Sequence, residues 1–218
     1  MRAILRRMTR VPRPSAAYHF VAVVSWPILY GLYRLRATGR EHLPAEGGYV
    51  LAGNHNSSFD PWPIGLPLWP RRYLRCMGKS ELFWTPLRQA LAALGAFPVR
   101  RGERDTVAIQ TAVDLCRAGH VVVMFPEGTR RAKGLRKKWE ARAHTGAARI
   151  ALEAGVPLVP AGIAGTDRLA RLAKLRVRYG APVAIDDLRG RDVAEVAQEA
   201  TDRLMARIFE LESSLLES

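Results

Sequence analysis

Residues 121–125 read VVVMF, an uninterrupted apolar run that begins with three β-branched side chains. Such a run, without polar alternation, is typical of a strand that is buried on both faces of a parallel sheet. A sheet needs further strands, and other short apolar runs occur at intervals along the chain. Five of these predict further strands, at 49–54, 73–77, 97–100, 158–163 and 176–179.

Helical stretches separate these strands. Ser80 and Asp105 are predicted N-caps, and Gly95, Gly119 and Gly155 follow predicted helix ends. The predicted helices are 80–94, 106–117, 144–153 and 193–215. Strands that alternate with helices predict an α/β fold with a mostly parallel central sheet flanked by helices. In such folds, binding sites form at the carboxyl ends of the strands.

The N-terminal segment has a different composition. Residues 1–14 carry five arginines and no acidic residue, and an apolar, aromatic stretch follows at 16–33 with Pro27 inside it. Aromatic rings and flanking arginines suit a lipid headgroup layer. We therefore expect residues 1–36 to form a kinked helical anchor at the membrane interface, and residues 37–218 to form the α/β domain. An ordinary amphipathic helix packed on the domain is the alternative. The anchor predicts a peripheral or monotopic protein on the cytoplasmic face of the cell membrane.

Charge and composition narrow the possible partners. The chain has 218 residues, with 34 Lys and Arg against 20 Asp and Glu, so its formal net charge is +14. This excess favours an anionic lipid surface or a phosphorylated substrate. Nucleic acid is not expected, because no helix-turn-helix signature, zinc finger or aromatic RNA-binding motif is present. The two cysteines exclude a disulfide framework, and the five histidines show no metal-ligand spacing, so no metal is expected.

A histidine and an aspartate follow the first predicted strand of the domain. His55 comes directly after the run 49–54, and Asp60 lies five positions later, after a stretch of turn-forming residues. An imidazole can take a proton near neutral pH while a carboxylate fixes its tautomer and stabilises the imidazolium. The pair is therefore a candidate catalytic dyad. A structural turn is the alternative, because His and Asp also occur at this spacing by chance.

A second group of candidate residues follows two other predicted strands. Glu127, Gly128, Thr129 and Arg130 come after the run 121–125 and combine a flexible turn with a hydroxyl and a guanidinium. Arg101 follows the run 97–100. Guanidinium groups bind phosphate through paired hydrogen bonds, so these strand ends predict a phosphate site. Solvated surface arginines are the alternative.

Together, four segments resemble the motifs of the glycerolipid acyltransferase family, which includes the lysophosphatidic acid acyltransferases. In chain order they are NHNSSFD at 54–60, GAFPVRR at 95–101, FPEGTR at 125–130 and VPLVP at 156–160. The first and third are specific, and the resemblance extends over about 39–186. Arg100 departs from the family pattern, since relatives often carry aspartate there.

The resemblance implies an O-acyltransferase of phospholipid biosynthesis. Acyl-CoA or acyl-carrier protein would donate the acyl group to the free hydroxyl of 1-acyl-glycerol 3-phosphate, giving phosphatidic acid, and no further cofactor is implied. His55 would be the general base, and Asp60 its orienting partner. Arg101, Glu127, Gly128, Thr129 and Arg130 would bind the acceptor phosphate, and the motif at 156–160 would line a substrate pocket.

Some points stay open from the sequence. Backbone amides at 56–58 are candidate oxyanion donors. The very basic stretch RAKGLRKK at 131–138 keeps other acceptors possible, namely glycerol 3-phosphate, a lysophospholipid, an ornithine lipid or a glycolipid. A basic non-enzymatic binding domain is a more distant alternative.

Overall fold

The computed structural model describes residues 14–84, 87–99, 105–128 and 143–217. Its strands are β1 (Arg36–Thr38), β2 (Tyr49–Gly53), β3 (Leu74–Lys79), β4 (Ala96–Val99), β5 (Val121–Met124), β6 (Leu158–Ala164) and β7 (Arg176–Tyr179). Its α-helices are α1 (Ala16–Pro27), α2 (Pro61–Gly65), α3 (Leu87–Ala93), α4 (Thr106–Arg117), α5 (Gly146–Ala154) and α6 (Val193–Leu216). A π-helical turn, Ile28–Leu32, continues α1. Short 3₁₀ segments lie at Arg40–His42, Leu66–Leu68, Ser80–Leu82, Thr166–Arg171 and Asp186–Leu188.

The strands form one sheet in the order β1-β7-β6-β2-β5-β3-β4. Every neighbouring pair is parallel except β6 and β7, which are antiparallel. The predicted mostly parallel sheet is therefore confirmed. Because β2, β3, β4, β5 and β6 all run the same way, their carboxyl ends meet at one edge of the sheet, where sites form in folds of this kind.

Helices cover both faces of the sheet. Alternate residues of β2 point to opposite faces, so Val50 and Ala52 pack in a cluster with α4, α5 and α6. Tyr49 and Leu51 pack in a second cluster with residues of α1 and α2. Burial on both sides explains why the central strands read as continuous apolar runs.

One strand was not predicted, and one predicted helix is wrong. Strand β1 was not predicted, because it is three residues long, carries two exposed positions and has no apolar pattern. The predicted helix over 80–94 is not continuous. Ser80 starts a 3₁₀ turn that ends at Leu82, and α3 begins only at Leu87. The ring of Phe83 lies against Gly78, so the chain folds back on β3 here instead of forming an α-helix. The predicted cap at Asp105 is present, as its carboxylate accepts a hydrogen bond from the Ala108 amide at 3.0 Å.

Helix α1 packs on the domain through one side. Ser15 caps it, accepting a hydrogen bond from the Tyr18 amide at 3.0 Å, and donates through Oγ to the Ala93 carbonyl at 2.7 Å. The indole Nε1 of Trp69 donates to Nδ1 of His19 at 3.0 Å. These contacts fix the helix beside α3 and the segment that precedes β3.

The other side of α1 and of the following turn is exposed and apolar. Six large side chains there are between 45% and 69% exposed: Phe20, Val23, Val24, Trp26, Ile28 and Leu32. None of the helices within the described residues combines the length and apolar character needed to cross a bilayer. The first part of the predicted anchor, residues 1–13, lies outside the described residues.

Candidate active site

The loop between β2 and α2 brings the predicted dyad together. Nδ1 of His55 lies 2.8 Å from Oδ2 of Asp60, and both side chains are buried. His55 follows the end of β2, and Asp60 precedes the first residue of α2. The carboxylate turns back across the tight loop to reach the ring. The predicted contact is therefore present in the structure.

The Asp60 carboxylate also organises the loop itself. Oδ2 accepts hydrogen bonds from the backbone amides of Asn56 at 2.7 Å and Ser57 at 2.8 Å, in addition to the His55 ring. The other oxygen, Oδ1, is buried and has no hydrogen-bond partner among the described residues. Because Asp60 already uses the amides of Asn56 and Ser57, the expectation that these two act as oxyanion donors is wrong.

The orientation of the imidazole follows from its two neighbours. A carboxylate at Nδ1 requires a proton on that nitrogen in the neutral ring, which leaves Nε2 with a lone pair. The face of the ring stacks on Phe125, with ring centroids 4.5 Å apart and an interplanar angle of 20°. Phe125 comes directly after β5, which pairs with β2 from Tyr49↔Val121 to Ala52↔Met124. The sheet register thus places the first and third motifs in contact.

The turn after β5 contains part of the predicted phosphate site. The Gly128 amide donates to the Phe125 carbonyl at 3.0 Å, and Gly128 has a φ of 68°. A Cβ at Gly128 would overlap the ring of His144, whose own amide donates to the Pro126 carbonyl at 2.8 Å. Glycine is therefore required at position 128 for both conformation and space. Glu127 lies half-buried in the same turn.

The remaining predicted phosphate ligands lie outside the described residues. These are Arg101, Thr129 and Arg130. Strand β4 ends at Val99, two residues before Arg101, and β4 is parallel to β3, which is parallel to β5. Strand β4 therefore ends at the same edge of the sheet that carries His55 and Gly128.

An apolar cavity of about 230 Å³ lies beside the dyad loop. Ser58, three residues after His55, forms part of its wall together with Trp62 of α2. The rest of the lining comes from α1, α2, β3, α3, β4 and the segments between them: Tyr18, Val21, Ala22, Pro61, Gly65, Leu66, Trp69, Leu74, Cys76, Leu91, Leu94 and Ala96. Most of the side chains that line the cavity are apolar, which suits a hydrocarbon chain.

The motif at 156–160 does not line this cavity. Val156 and Leu158 are buried in the core cluster that faces α4, α5 and α6, and Val159 is buried on the opposite face. The expectation that this motif lines a substrate pocket is wrong for the cavity beside the dyad. Its last three residues instead form the start of β6, which pairs with β2 and so supports the strand that leads into His55.

Neither cysteine is suited to nucleophilic catalysis. Cys76 lines the cavity, and burial raises the pKa of its thiol to about 11 although the Arg75 guanidinium opposes the shift. Burial raises the pKa of the Cys116 thiol to about 12. Thiolates are the reactive form of cysteine, so both side chains are chemically quiet near neutral pH. Among the described residues no group of three or more His, Cys, Asp and Glu side chains could hold a metal ion.

Comparison with known proteins identifies the family. A family model described as Acyltransferase matches residues 34–164, which include β1 to β6 and the dyad loop. The chain belongs to the acyltransferase family. It is 31% identical over 185 residues to the 1-acyl-sn-glycerol-3-phosphate acyltransferase of Bacillus subtilis, covering 83% of this chain and 89% of that relative.

Other acyltransferases agree with this assignment. A Haemophilus influenzae protein of the same name is 28% identical over 201 residues, covering 86% of this chain and 80% of that relative. The crystal structure of the 1-acyl-sn-glycerophosphate acyltransferase from Thermotoga maritima has the same fold. Its TM-score is 0.62 at 21% identity, covering 95% of this chain and 79% of that one. The protein described here is thus an acyltransferase enzyme.

Some features of this acyltransferase site could not be read from its sequence. The stacking of Phe125 on His55 depends on which strands are neighbours, and the sequence alone does not give the strand order. The cavity likewise gathers residues from α1, α2, α3 and two strands. The only sequence signal for it was the aromatic, apolar character of the N-terminal stretch.

Proposed function

We propose that this acyltransferase moves a fatty acyl group from acyl-CoA or acyl-carrier protein to the free hydroxyl of 1-acyl-glycerol 3-phosphate. The product is phosphatidic acid, an intermediate of phospholipid biosynthesis. The observation that carries the proposal is the buried His55–Asp60 pair, whose loop also lines an apolar cavity through Ser58. The names of the Bacillus subtilis and Haemophilus influenzae relatives favour this acceptor.

In the proposed mechanism, His55 acts as general base. Its Nε2 takes the proton of the acceptor hydroxyl as the oxygen attacks the thioester carbonyl, and Asp60 stabilises the imidazolium that forms. The tetrahedral intermediate then collapses, the carbon–sulfur bond breaks, and the imidazolium returns the proton to the departing thiolate. General-base catalysis of this kind contributes about 10²–10⁴-fold to the rate. The thioester is already activated, so no other cofactor is needed.

The two substrates would occupy different parts of the site. The apolar cavity suits the acyl chain, because hydrocarbon buried there leaves water without exposing polar groups of the protein. The acceptor phosphate would bind at the ends of β4 and β5, to Arg101, Thr129 and Arg130, with Glu127 and Gly128 shaping the turn. The net charge of +14 favours this anionic acceptor.

The location proposed for the enzyme is the cytoplasmic face of the cell membrane. We propose that residues 1–36 attach the domain 37–218 to an anionic lipid surface. The exposed apolar side of α1 would enter the headgroup layer, and arginines would contact lipid phosphates. Both substrates carry fatty acyl chains, so the lipid surface would supply the acceptor and keep the product.

The proposal is tested by measuring transfer of a labelled acyl group from acyl-CoA to 1-acyl-glycerol 3-phosphate. We expect His55→Ala to lower kcat by about 10²–10⁴-fold, because the acceptor hydroxyl loses its proton acceptor. His42→Ala is the matched control, since His42 is exposed and contacts the Tyr179 carbonyl at 3.3 Å instead of Asp60. The control should keep wild-type activity.

The acceptor is tested in the same assay. Glycerol 3-phosphate, a lysophospholipid, an ornithine lipid and a glycolipid replace 1-acyl-glycerol 3-phosphate one at a time. A higher kcat/KM with any of these would contradict the proposed acceptor but not the reaction. Full activity of a folded His55→Ala variant would contradict the mechanism.

A further inference from the structure

The side chain of Asn54, which directly precedes His55, forms two hydrogen bonds with the backbone of β6. Its Oδ1 accepts a hydrogen bond from the Ile163 amide at 2.8 Å, and its Nδ2 donates to the Ile163 carbonyl at 2.9 Å. Regular backbone pairing of β2 with β6 ends at Gly53↔Ala161. The Asn54 amide therefore takes the place of a peptide group and continues the ladder by one step. Asn54 is fully buried.

Glu212 of α6 completes this arrangement. Its Oε1 lies 3.1 Å from Nδ2 of Asn54 and accepts the second amide hydrogen. Glu212 is buried, although glutamate is rarely buried in proteins without a specific partner. Glu212 can reach Asn54 because the backbone of α6 lies close to that of β6. A Cβ at Gly162 would lie only 2.8 Å from the Glu212 backbone nitrogen. The absence of a side chain at position 162 thus lets α6 approach β6 closely.

Both amide hydrogens of Asn54 are now used, which fixes the rotation of its side chain and the path of the backbone into His55. If Glu212 were absent, one buried N–H would lose its acceptor, and the amide would have to shift to find another. Asn56, on the other side of His55, also donates through Nδ2 to the Ile163 carbonyl, at 3.3 Å. The residues before His55 and after it thus both bind the Ile163 carbonyl of β6.

We propose that Glu212 is a positioning residue for catalysis, which acts through Asn54 to set the place of the His55 imidazole. This inference rests on the proposed role of His55 as general base. In this role Glu212 supplies an acceptor oxygen at a fixed distance from the Asn54 amide, and the position of that oxygen matters more to the rate than the negative charge. Displacements of about 1 Å in a catalytic group can cost 10²-fold in rate, so a loosened Asn54 is enough to slow the reaction.

The test compares three substitutions at position 212. Glu212→Gln keeps an acceptor oxygen at the same distance and should keep kcat within about threefold of wild type. Glu212→Asp keeps the charge but withdraws the carboxylate by about 1.5 Å, so kcat should fall about tenfold. Glu212→Ala should show a similar fall. KM for both substrates should stay within about twofold in all three, because the contact touches neither of them.

A matched control and a double-mutant cycle complete the design. Glu210 lies on the exposed side of the same helix, where its carboxylate pairs with Arg207. The control variant Glu210→Gln should therefore leave kcat unchanged. Asn54→Ala combined with Glu212→Ala should be no slower than Asn54→Ala alone, because both changes remove the same contact. Thermal unfolding of every variant separates loss of activity from loss of fold.

The possible outcomes are distinct. Wild-type kcat in Glu212→Asp, or a kcat in Glu212→Gln that falls below that of Glu212→Asp, would overturn the inference and assign Glu212 a charge role. Multiplicative effects in the double mutant would also overturn it. If Glu212→Ala does not fold, the comparison of Gln with Asp decides alone. An inactive His55→Ala beside a fully active Glu212→Asp would reject this inference and leave the proposed role of His55 standing, whereas an active His55→Ala would reject both.

Discussion

Asp60 uses its two carboxylate oxygens very unequally. Oδ2 accepts hydrogen bonds from the His55 ring and two backbone amides, whereas Oδ1 is buried and makes no hydrogen bond within the described part of the chain. Three donors on one oxygen hold the loop and the ring in a single arrangement. A buried carboxylate oxygen without a partner is uncommon in folded proteins and destabilises the folded state.

The charge of this carboxylate can be removed while its shape is kept. In Asp60→Asn, the amide oxygen takes the position of Oδ2, so the His55 tautomer is preserved while the stabilisation of the imidazolium is lost. We expect kcat to fall by about 10²–10⁴-fold with a smaller change in KM, as measured in the acyl-transfer assay. The new Nδ2 would occupy the position of Oδ1 and cost about 1–3 kcal/mol of stability. A kcat within a few-fold of wild type would show that the Asp60 charge is unimportant.

At the scale of elements, α1 has two distinct sides. One side packs on the domain through Ala22 and Ser25 and contributes to the cavity wall. The other presents Phe20, Trp26 and neighbouring apolar side chains to the outside. A single helix therefore connects the cavity proposed for the acyl chain with the surface proposed to meet the lipid.

The exposed side can be made polar without touching the packed one. We expect Phe20→Ser combined with Trp26→Ser to weaken binding to anionic vesicles by at least about tenfold, because two apolar rings no longer enter the headgroup layer. Sedimentation with vesicles measures this binding. Phe209→Ser is a suitable control, since Phe209 is similarly exposed but lies on α6. Equal binding of the double variant and the wild type would refute the proposed anchor.

The elements that the sequence predicts well are those whose burial is uniform. The apolar runs of β2, β5 and β6 were predicted within about one residue, because strands covered on both faces leave a continuous signal. Helix α4, with its cap at Asp105, was also predicted correctly. Strand β1 gave no signal, since its place depends on pairing with β7, far along the chain.

The candidate site was predictable in a similar way. His55 and Asp60 were predictable because the loop between them is short and local, and because the motif that contains them resembles that of a known family. The role of Phe125 was not predicted, because it depends on β2 and β5 being neighbours. Glu212 was missed for the same reason, as it lies 158 positions from Asn54 and sits in a helix whose pattern is otherwise ordinary.

At the scale of the whole molecule, one buried histidine links stability to pH. His120 precedes β5, and its Nε2 has no hydrogen-bond partner among the described residues. Burial, with the positive charges of Arg75 and Arg72, lowers the pKa of His120 from 6.5 to about 4. The folded protein therefore keeps this ring neutral at pH values where the unfolded chain would protonate it.

The sign of the pH dependence follows from this difference. Above pH 6.5, His120 is neutral in both states and costs nothing, but as the pH falls from 6.5 towards 4 the unfolded chain takes up a proton that the folded protein does not. We expect the free energy of unfolding to decrease over this range, and to decrease less in His120→Gln. Urea unfolding at about pH 7.5 and pH 5 measures both. An identical pH dependence in the two proteins would contradict the prediction.

The distance along the chain between the partners in the sheet has a consequence for biosynthesis. Arg36 of β1 pairs with Arg176 of β7, and the Asn54 amide donates a hydrogen bond to Glu212 of α6. A nascent polypeptide on the ribosome can form the first contact only after residue 176 has emerged, and the second only after residue 212 has emerged. A fragment that stops before Glu212 would therefore carry the histidine without the glutamate that holds the preceding asparagine.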